Sequence, residues 1–235
     1  MVGGRSQSRG FTLVELIVVL AIVGVLAAII APALGYAYGV ADSVKCQHAL
    51  GQWALAMRVY AQQNNGALPR RGQGVQPTAV VNRPEDWFNA LPQVMGMPAY
   101  KELAVDGRIP RPGDDGIWMC PSAHEAEARS QYYFAYGMNM LLSTWLTGVP
   151  DYLDTIRSPS TQVFMADGPG GYCSILPSSK PYSPVARHNG MVNISFLDGH
   201  VAGFPGDYVG CGKGDPHQPD VRWVVPGSAW PGPKE

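Results

Sequence analysis

Charge is what this sequence has least of. Asp, Glu, Lys and Arg make up 15% of its 235 residues, against about 25% in an ordinary soluble domain. Neither sign prevails, since 17 Lys+Arg face 18 Asp+Glu for a formal net charge of -1. Without a basic field there is nothing to hold a phosphate backbone, which excludes nucleic acid as a partner. Repeats of solenoid length are also missing. No Ser or Cys stands recognisably beside a base, so the chain reads as a non-enzyme. Glycine (28) and proline (21) are plentiful instead; they predict many turns and few long helices in a chain still able to build a core.

The charge deficit has a local cause. From Phe11 to Ala31 the only ionisable side chain is Glu15, and at ~1.5 Å per residue a helix of this length covers the ~30 Å hydrocarbon layer. Arg5 and Arg9 precede the run with no acid between them, so the positive-inside rule keeps the leader cytoplasmic and sends the rest outward. A secretory signal would have a shorter apolar stretch followed by a cleavage site. Glu15 needs a reason to be there, because a charge in hydrocarbon costs at least ~2.5–3.5 kcal/mol. If the chain is cut after Gly10, the new α-ammonium of Phe11 becomes its natural partner, in the same subunit or a neighbour. Pro32, Gly35 and Gly39 mark either a flexible shoulder or simply the end of the span.

The segment Gly10-Phe11-Thr12-Leu13-Val14-Glu15-Leu16, followed by an apolar helix, resembles the type IV prepilin signature of pilins and type II secretion pseudopilins. The resemblance implies cleavage after Gly10 by a prepilin peptidase, N-methylation of Phe11, and Glu15 as the acid that guides assembly. It also implies a single-pass inner-membrane precursor that envelope assembly machinery builds into a homo-oligomeric filament, extracellular or periplasmic. The plain alternative is a signal anchor in which Glu15 has no role.

Beyond the span, Val44, Cys46, Ala49, Leu50, Trp53, Met57 and Tyr60 recur at spacings of three and four, one face of an amphipathic helix. Asn64-Asn65-Gly66 supplies its stop. The expected organisation is a leader over 1–10, a transmembrane and polymerisation helix over 11–34, its amphipathic continuation over 35–66 and a head over 67–235. Residues 70–116 read as loop with short helices near Pro84–Leu91 and Pro98–Leu103. Strand-like runs follow at Tyr132–Tyr136, Thr161–Ala166 and Met191–Leu197, and Trp223 with Val221, Val224 and Val225 offers one more. The fold class is therefore α+β and, by the resemblance, type IV pilin-like: a long helix on a small antiparallel sheet, with long loops.

The densest polar motif runs from Arg187 to Val201. Asn189-Gly190 and Asp198-Gly199 are turn signals flanking a strand in which Val192, Ile194 and Phe196 alternate with polar residues. His188 and Asp198 have the spacing H-x9-D-G, which resembles a motif of prepilin-processed proteins common in planctomycete-like bacteria. Cys46 with Ala49-Leu50-Gly51-Gln52, Cys120-Pro121-Ser122, Tyr136-Gly137-Met138-Asn139 and Phe164-Met165-Ala166-Asp167-Gly168 resemble further blocks of that group. In the plain reading Asp198 caps turns and His188 hydrogen-bonds it. In the metal-binding reading Asp167, Asp198, His188 and His200 are the ligands, calcium preferring the oxygens and zinc the imidazoles. No cofactor is expected apart from that calcium option, and catalysis ranks below both. His124, beside Glu125 and Glu127, reads as a solvated helix turn.

Cys46, Cys120, Cys173 and Cys211 all follow the span, in a compartment where disulfides persist, and sequence leaves three pairings open. No C-x-x-C spacing occurs, so zinc on these cysteines is not expected. Resemblance of the Cys120-Pro121 segment to a family block implies pairing with Cys46 and, by remainder, Cys173 with Cys211. The functional expectation is a filament subunit. A membrane-tethered binding module presenting Trp118, Tyr132, Tyr133 and Trp145 is the alternative, ahead of a metal-dependent periplasmic enzyme.

Overall fold

The computed structural model describes residues 11–73, 76–124, 130–143 and 148–225. The leader with Gly10, and Glu125, Glu127 and Trp145, lie outside the described residues. The chain divides into two units, Met1–Tyr38 and Gly39–Glu235.

Helix α1 runs from Leu13 to Gln63 and continues through Pro32. Within the first unit its apolar side chains, from Leu13 through Ile22 and Leu26 to Tyr38, are exposed around the whole circumference. A helix apolar on every side asks for a lipid or a protein environment, and this is the one described helix long and apolar enough to cross a membrane.

In the second unit α1 is amphipathic. Cys46, Ala49, Leu50, Trp53, Ala54, Met57 and Ala61 are buried. Val44, assigned by its spacing to the same face, is exposed, and Tyr60 is only half-buried. The helix ends in a Schellman turn: Asn65 takes φ 53° and the Gly66 N–H donates to Ala61 O at 2.8 Å, satisfying a carbonyl that would otherwise be orphaned.

Five strands form one mixed sheet: β1 (Phe134–Asn139), β2 (Val163–Gly170), β3 (Ser174–Ile175), β4 (Met191–Phe196) and β5 (Val201–Pro205), in the order β3-β1-β2-β4-β5. Neighbours pair antiparallel except β1 with β3, which is parallel. The sheet is thus not wholly antiparallel as expected, because the short connection after β2 returns the chain beside β1 rather than β2. With α1 it makes an α+β, pilin-like arrangement.

The loop region after α1 does more than connect. It carries α2 (Trp87–Val94) and α3 (Tyr100–Val105), which deliver Trp87, Phe88 and Tyr100 to the core. Trp53 of α1 packs on Trp118 and Trp87 with ring centres 4.7 and 5.5 Å apart, and Tyr100 stacks on Phe134 at 4.7 Å. Three of the polar edges are paired: the Trp53 indole donates to Ile117 O at 3.0 Å, Trp87 to Cys173 O at 2.8 Å, and Tyr100 OH to Tyr133 O at 2.9 Å, whereas the Trp118 indole N–H is buried without a partner. Such matched aromatic packing fixes loops that have no secondary structure of their own.

Alternation along β4 sets the second core. Val192, Ile194 and Phe196 join Val163, Ile175 and Trp223 in one apolar cluster. The opposite face of β4 is polar yet buried: Asn193 Oδ1 accepts from Ser43 Oγ at 3.0 Å and from Gln47 Nε2 at 2.9 Å, both on α1. Trp223 docks without forming a strand, held by Asn139 Nδ2 donating to its carbonyl at 2.8 Å; Val221 and Val225 are buried beside it and Val224 is not. The chain leaves β5 into a single turn of helix, α4 (Gly206–Val209).

Candidate functional site

At the N-terminus Thr12 and Glu15 form a reciprocal cap on α1. The Glu15 carboxylate accepts from the Thr12 backbone N–H and hydroxyl, both at 2.8 Å, and the Glu15 N–H donates to Thr12 Oγ1 at 3.3 Å. T-x-x-E at a helix start is the capping-box pattern. Glu15 therefore has a local partner in Thr12, where the sequence alone offers only an ammonium at Phe11, and that only if the chain is cut after Gly10.

Inside the head, four separate segments bring Cys46, Cys120, Asp167 and His188 together. Cys46 comes from α1, Cys120 from the turn after Trp118, Asp167 from the middle of β2 and His188 from the turn before β4. All four are buried, and one ligand atom from each lies within 4.8 Å of the others. Cys46 Sγ is 2.8 Å from Cys120 Sγ, Cys120 Sγ is 3.4 Å from His188 Nε2, and His188 Nε2 is 3.7 Å from Asp167 Oδ2.

Local geometry places each group. His188 is locked by a two-residue turn: its N–H donates to Met191 O at 3.2 Å and the Met191 N–H returns to His188 O at 3.0 Å, with Asn189 and Gly190 at φ 53° and 82°. This is the mirror-image turn that Asn-Gly favours. The Asp167 carboxylate accepts from the Asn193 N–H at 2.8 Å across the β2–β4 pair. Arg187 donates to the carbonyls of Ala135 and Gly168. Ser122 Oγ donates to Asp42 on α1 at 2.8 Å, tying the Cys120 turn to the helix.

Electrostatics follow from burial. Desolvation raises Asp167 to about 7, and the Cys120 sulfur adds to the rise against the pull of Arg187, the Asn193 N–H and His188. Burial alone would lower His188, but its hydrogen bond with Cys120 and the Asp167 charge outweigh that and raise it. The Cys46 thiol donates to Cys120, drawing Cys120 down to about 5 with help from His188 and Arg187 while raising Cys46.

The other two expected metal ligands are elsewhere. Asp198 and His200 sit on the β4–β5 turn, while His188 precedes β4, so a six-residue strand separates them by roughly 17 Å. Asp198 does not reach His188. Its Oδ1 pairs with His200 Nδ1 at 2.6 Å and accepts from the His200 N–H at 3.1 Å, and its carbonyl takes Arg58 Nη1 at 2.5 Å. His200 stacks on Phe196 at 4.3 Å. The D-G half of the motif thus pins a turn onto α1, and the H half enters the buried cluster. Cys46 and Cys120, which the absence of C-x-x-C spacing excludes as ligands, are the two cluster members the sequence does not point to; the one cue is the place of Cys46 on the buried stripe of α1.

Both members of each expected cysteine pair are free thiols. Cys46 and Cys120 adjoin, but Cys173 and Cys211 belong to different core clusters, and the Cys173 thiol donates instead to Gln73 O at 3.6 Å. Of the aromatics named for a binding surface, Trp118 and Tyr133 are buried and Tyr132 is half-buried against the core. His124 is exposed in irregular chain rather than a helix turn.

Comparison with known families bears on the N-terminal site. Residues 5–31 match the prokaryotic N-terminal methylation motif. With the long apolar helix, the match supports a type IV pilin or pseudopilin-type precursor anchored in the membrane. No curated protein and no solved structure matches the chain.

Proposed function

We propose that the chain is a structural, non-enzymatic subunit of a type IV pilus-like or type II secretion pseudopilus-like filament. A prepilin peptidase cuts after Gly10, Phe11 is N-methylated, and inner-membrane assembly machinery extracts the subunit from lipid into a helical polymer outside the membrane. The observation that supports this best is the apolar half of α1, exposed on every side with Glu15 as its one ionisable side chain from Phe11 to Ala31. In lipid that surface is satisfied by acyl chains, and in a filament by the same helix of neighbouring copies. Once cleavage frees the Phe11 ammonium, Glu15 exchanges its Thr12 hydrogen bonds for that charge on an adjacent subunit, which sets the axial step. The H-x9-D-G resemblance of residues 188–199 supports reading the head as one of those prepilin-processed proteins.

Sheared material from the native envelope, imaged and sequenced from its N-terminus by mass spectrometry, tests the reading. The expected result is filaments with α1 at the axis and a subunit beginning at methylated Phe11. Glu15→Ala should abolish polymer and leave cleavage intact. Monomers in detergent that begin at Met1 would overturn the proposal.

A further inference from the structure

We propose that Cys46, Cys120, Asp167 and His188 form a structural site for a thiolate-binding divalent cation of the zinc class, which clamps α1 to the sheet. Each residue offers one atom to a common centre: Sγ, Sγ, a carboxylate oxygen and Nε2, all buried and within 4.8 Å of one another. Two sulfurs, one imidazole and one carboxylate are the donor types that select a borderline-soft tetrahedral ion over calcium or magnesium.

The second observation is a polar atom without a partner. Asp167 Oδ1 is buried with no hydrogen bond, on a side chain that is 0% exposed. Buried polar atoms are ordinarily paired, and a fully buried carboxylate facing two thiols is a costly arrangement unless a cation compensates it. A disulfide between Cys46 and Cys120 would use two of the four groups and leave His188 and Asp167 aimed at a neutral sulfur pair. A cation uses all four, and both cysteines bind it as thiolates, so any thiol proton the pair still holds is released.

The topology explains what such a site would do. Its ligands are separated in sequence by 74, 47 and 21 residues, as the positions 46, 120, 167 and 188 show. They come from the helix, the loop region, the central strand β2 and the Asn189-Gly190 turn. One ion thus ties together the parts of a Gly- and Pro-rich head that secondary structure joins least, with a folding contribution of the kind structural zinc sites supply.

The test uses the full-length chain purified in detergent without chelators. Elemental analysis should find about one zinc per chain, and Co(II) added to the stripped, reduced protein should give the ligand-field bands of a tetrahedral site with thiolate-to-cobalt charge transfer. Cys120→Ser should remove the charge-transfer band, and Asp167→Asn should weaken metal affinity at least tenfold. Should Cys120→Ser fail to fold, the wild-type spectrum decides: charge transfer supports the site and its absence overturns it. A Cys46–Cys120 disulfide in protein taken from its own envelope also overturns the proposal, as does failure of the reduced chain to take up either ion. None of these outcomes depends on whether filaments form.

Discussion

Thr12 and Glu15 satisfy each other at the start of α1, the hydroxyl and N–H of Thr12 both donating to the Glu15 carboxylate at 2.8 Å. One acid thus has two roles: it caps the helix in this structure and, in the proposed filament, where the leader is removed, it meets a neighbour's ammonium. The roles separate by mutation. Thr12→Ala removes the hydroxyl and should destabilise the first turn by about 1 kcal/mol. That corresponds to roughly fivefold faster amide exchange there, measured by hydrogen–deuterium exchange on the detergent-solubilised chain. Filaments should persist in Thr12→Ala and be lost in Glu15→Ala; loss in both would make the cap itself the assembly determinant.

Asp86 gives the head a pH dependence with a definite sign. It is the N-cap residue of α2 and makes no side-chain cap bond. Burial raises it from 3.8 to about 6, opposed by Arg70 and Arg83 and assisted by Glu85. Arg70 Nε stands 3.7 Å from its Oδ1. Between the unfolded and folded values the native state holds a proton that the unfolded chain has lost, so stability falls as pH rises through about 4 to 6 and levels off above. The gap between 3.8 and about 6 corresponds to about 3 kcal/mol at most. Asp86→Asn should flatten this slope in denaturant midpoints measured from pH 4 to 8; an unchanged slope would assign the dependence to another group.

The periodic parts of the sequence were the legible ones. Cys46, Leu50, Trp53 and Met57 have helical spacing, and Val192, Ile194 and Phe196 have strand spacing, so each announces its element and its buried face. Asn189-Gly190 announces its turn, because few other residues tolerate positive φ at both positions. Strand β3 was hidden: two residues carry no period, and their parallel pairing with β1 is set by tertiary packing. The two short helices of the loop region were legible near Pro84–Leu91 and Pro98–Leu103 and are found as α2 and α3, but elements this short show no clear buried face, so the core role of Trp87, Phe88 and Tyr100 was not. At the candidate site, His188 stood out through its motif but its partners did not. Nothing local in the sequence couples Cys46 to a histidine 142 residues further along the chain, and chain proximity favoured Asp198 and His200 instead. The polar face of β4 misled similarly, because Asn193 reads as solvent-facing yet is buried against Ser43 and Gln47.

Trp53 is the side chain through which α1 holds the head. It is fully buried, and its ring touches those of Trp87 and Trp118, which come from the loop region. Trp53→Ala should destabilise the head by about 3–5 kcal/mol and abolish the near-ultraviolet circular dichroism of the indole cluster. Trp53→Phe should cost less, because it keeps most of the ring contact and loses the hydrogen bond to Ile117 O. Equal losses would show that the hydrogen bond, rather than the packing, is what matters.

Gly137 and Gly190 are both required, for opposite reasons, and the two can be told apart. Gly190 lies at φ 82° with nothing within 4 Å of the position a β-carbon would take, so Gly190→Ala carries backbone strain alone, about 1–2 kcal/mol. Gly137 has an ordinary strand backbone, but a β-carbon there would stand 2.5 Å from Ile175 Cγ2, a steric problem on the parallel β1–β3 pair. Gly137→Ala should cost about 1–3 kcal/mol by overpacking, and shortening Ile175 to Ala should recover part of that cost. Unfolding midpoints of the Gly137→Ala, Ile175→Ala and double variants measure the coupling. No shortening elsewhere should rescue Gly190→Ala, because no side chain is in its way. If Ile175→Ala fails to relieve Gly137→Ala, the close approach of β3 to β1 at this position is wrong.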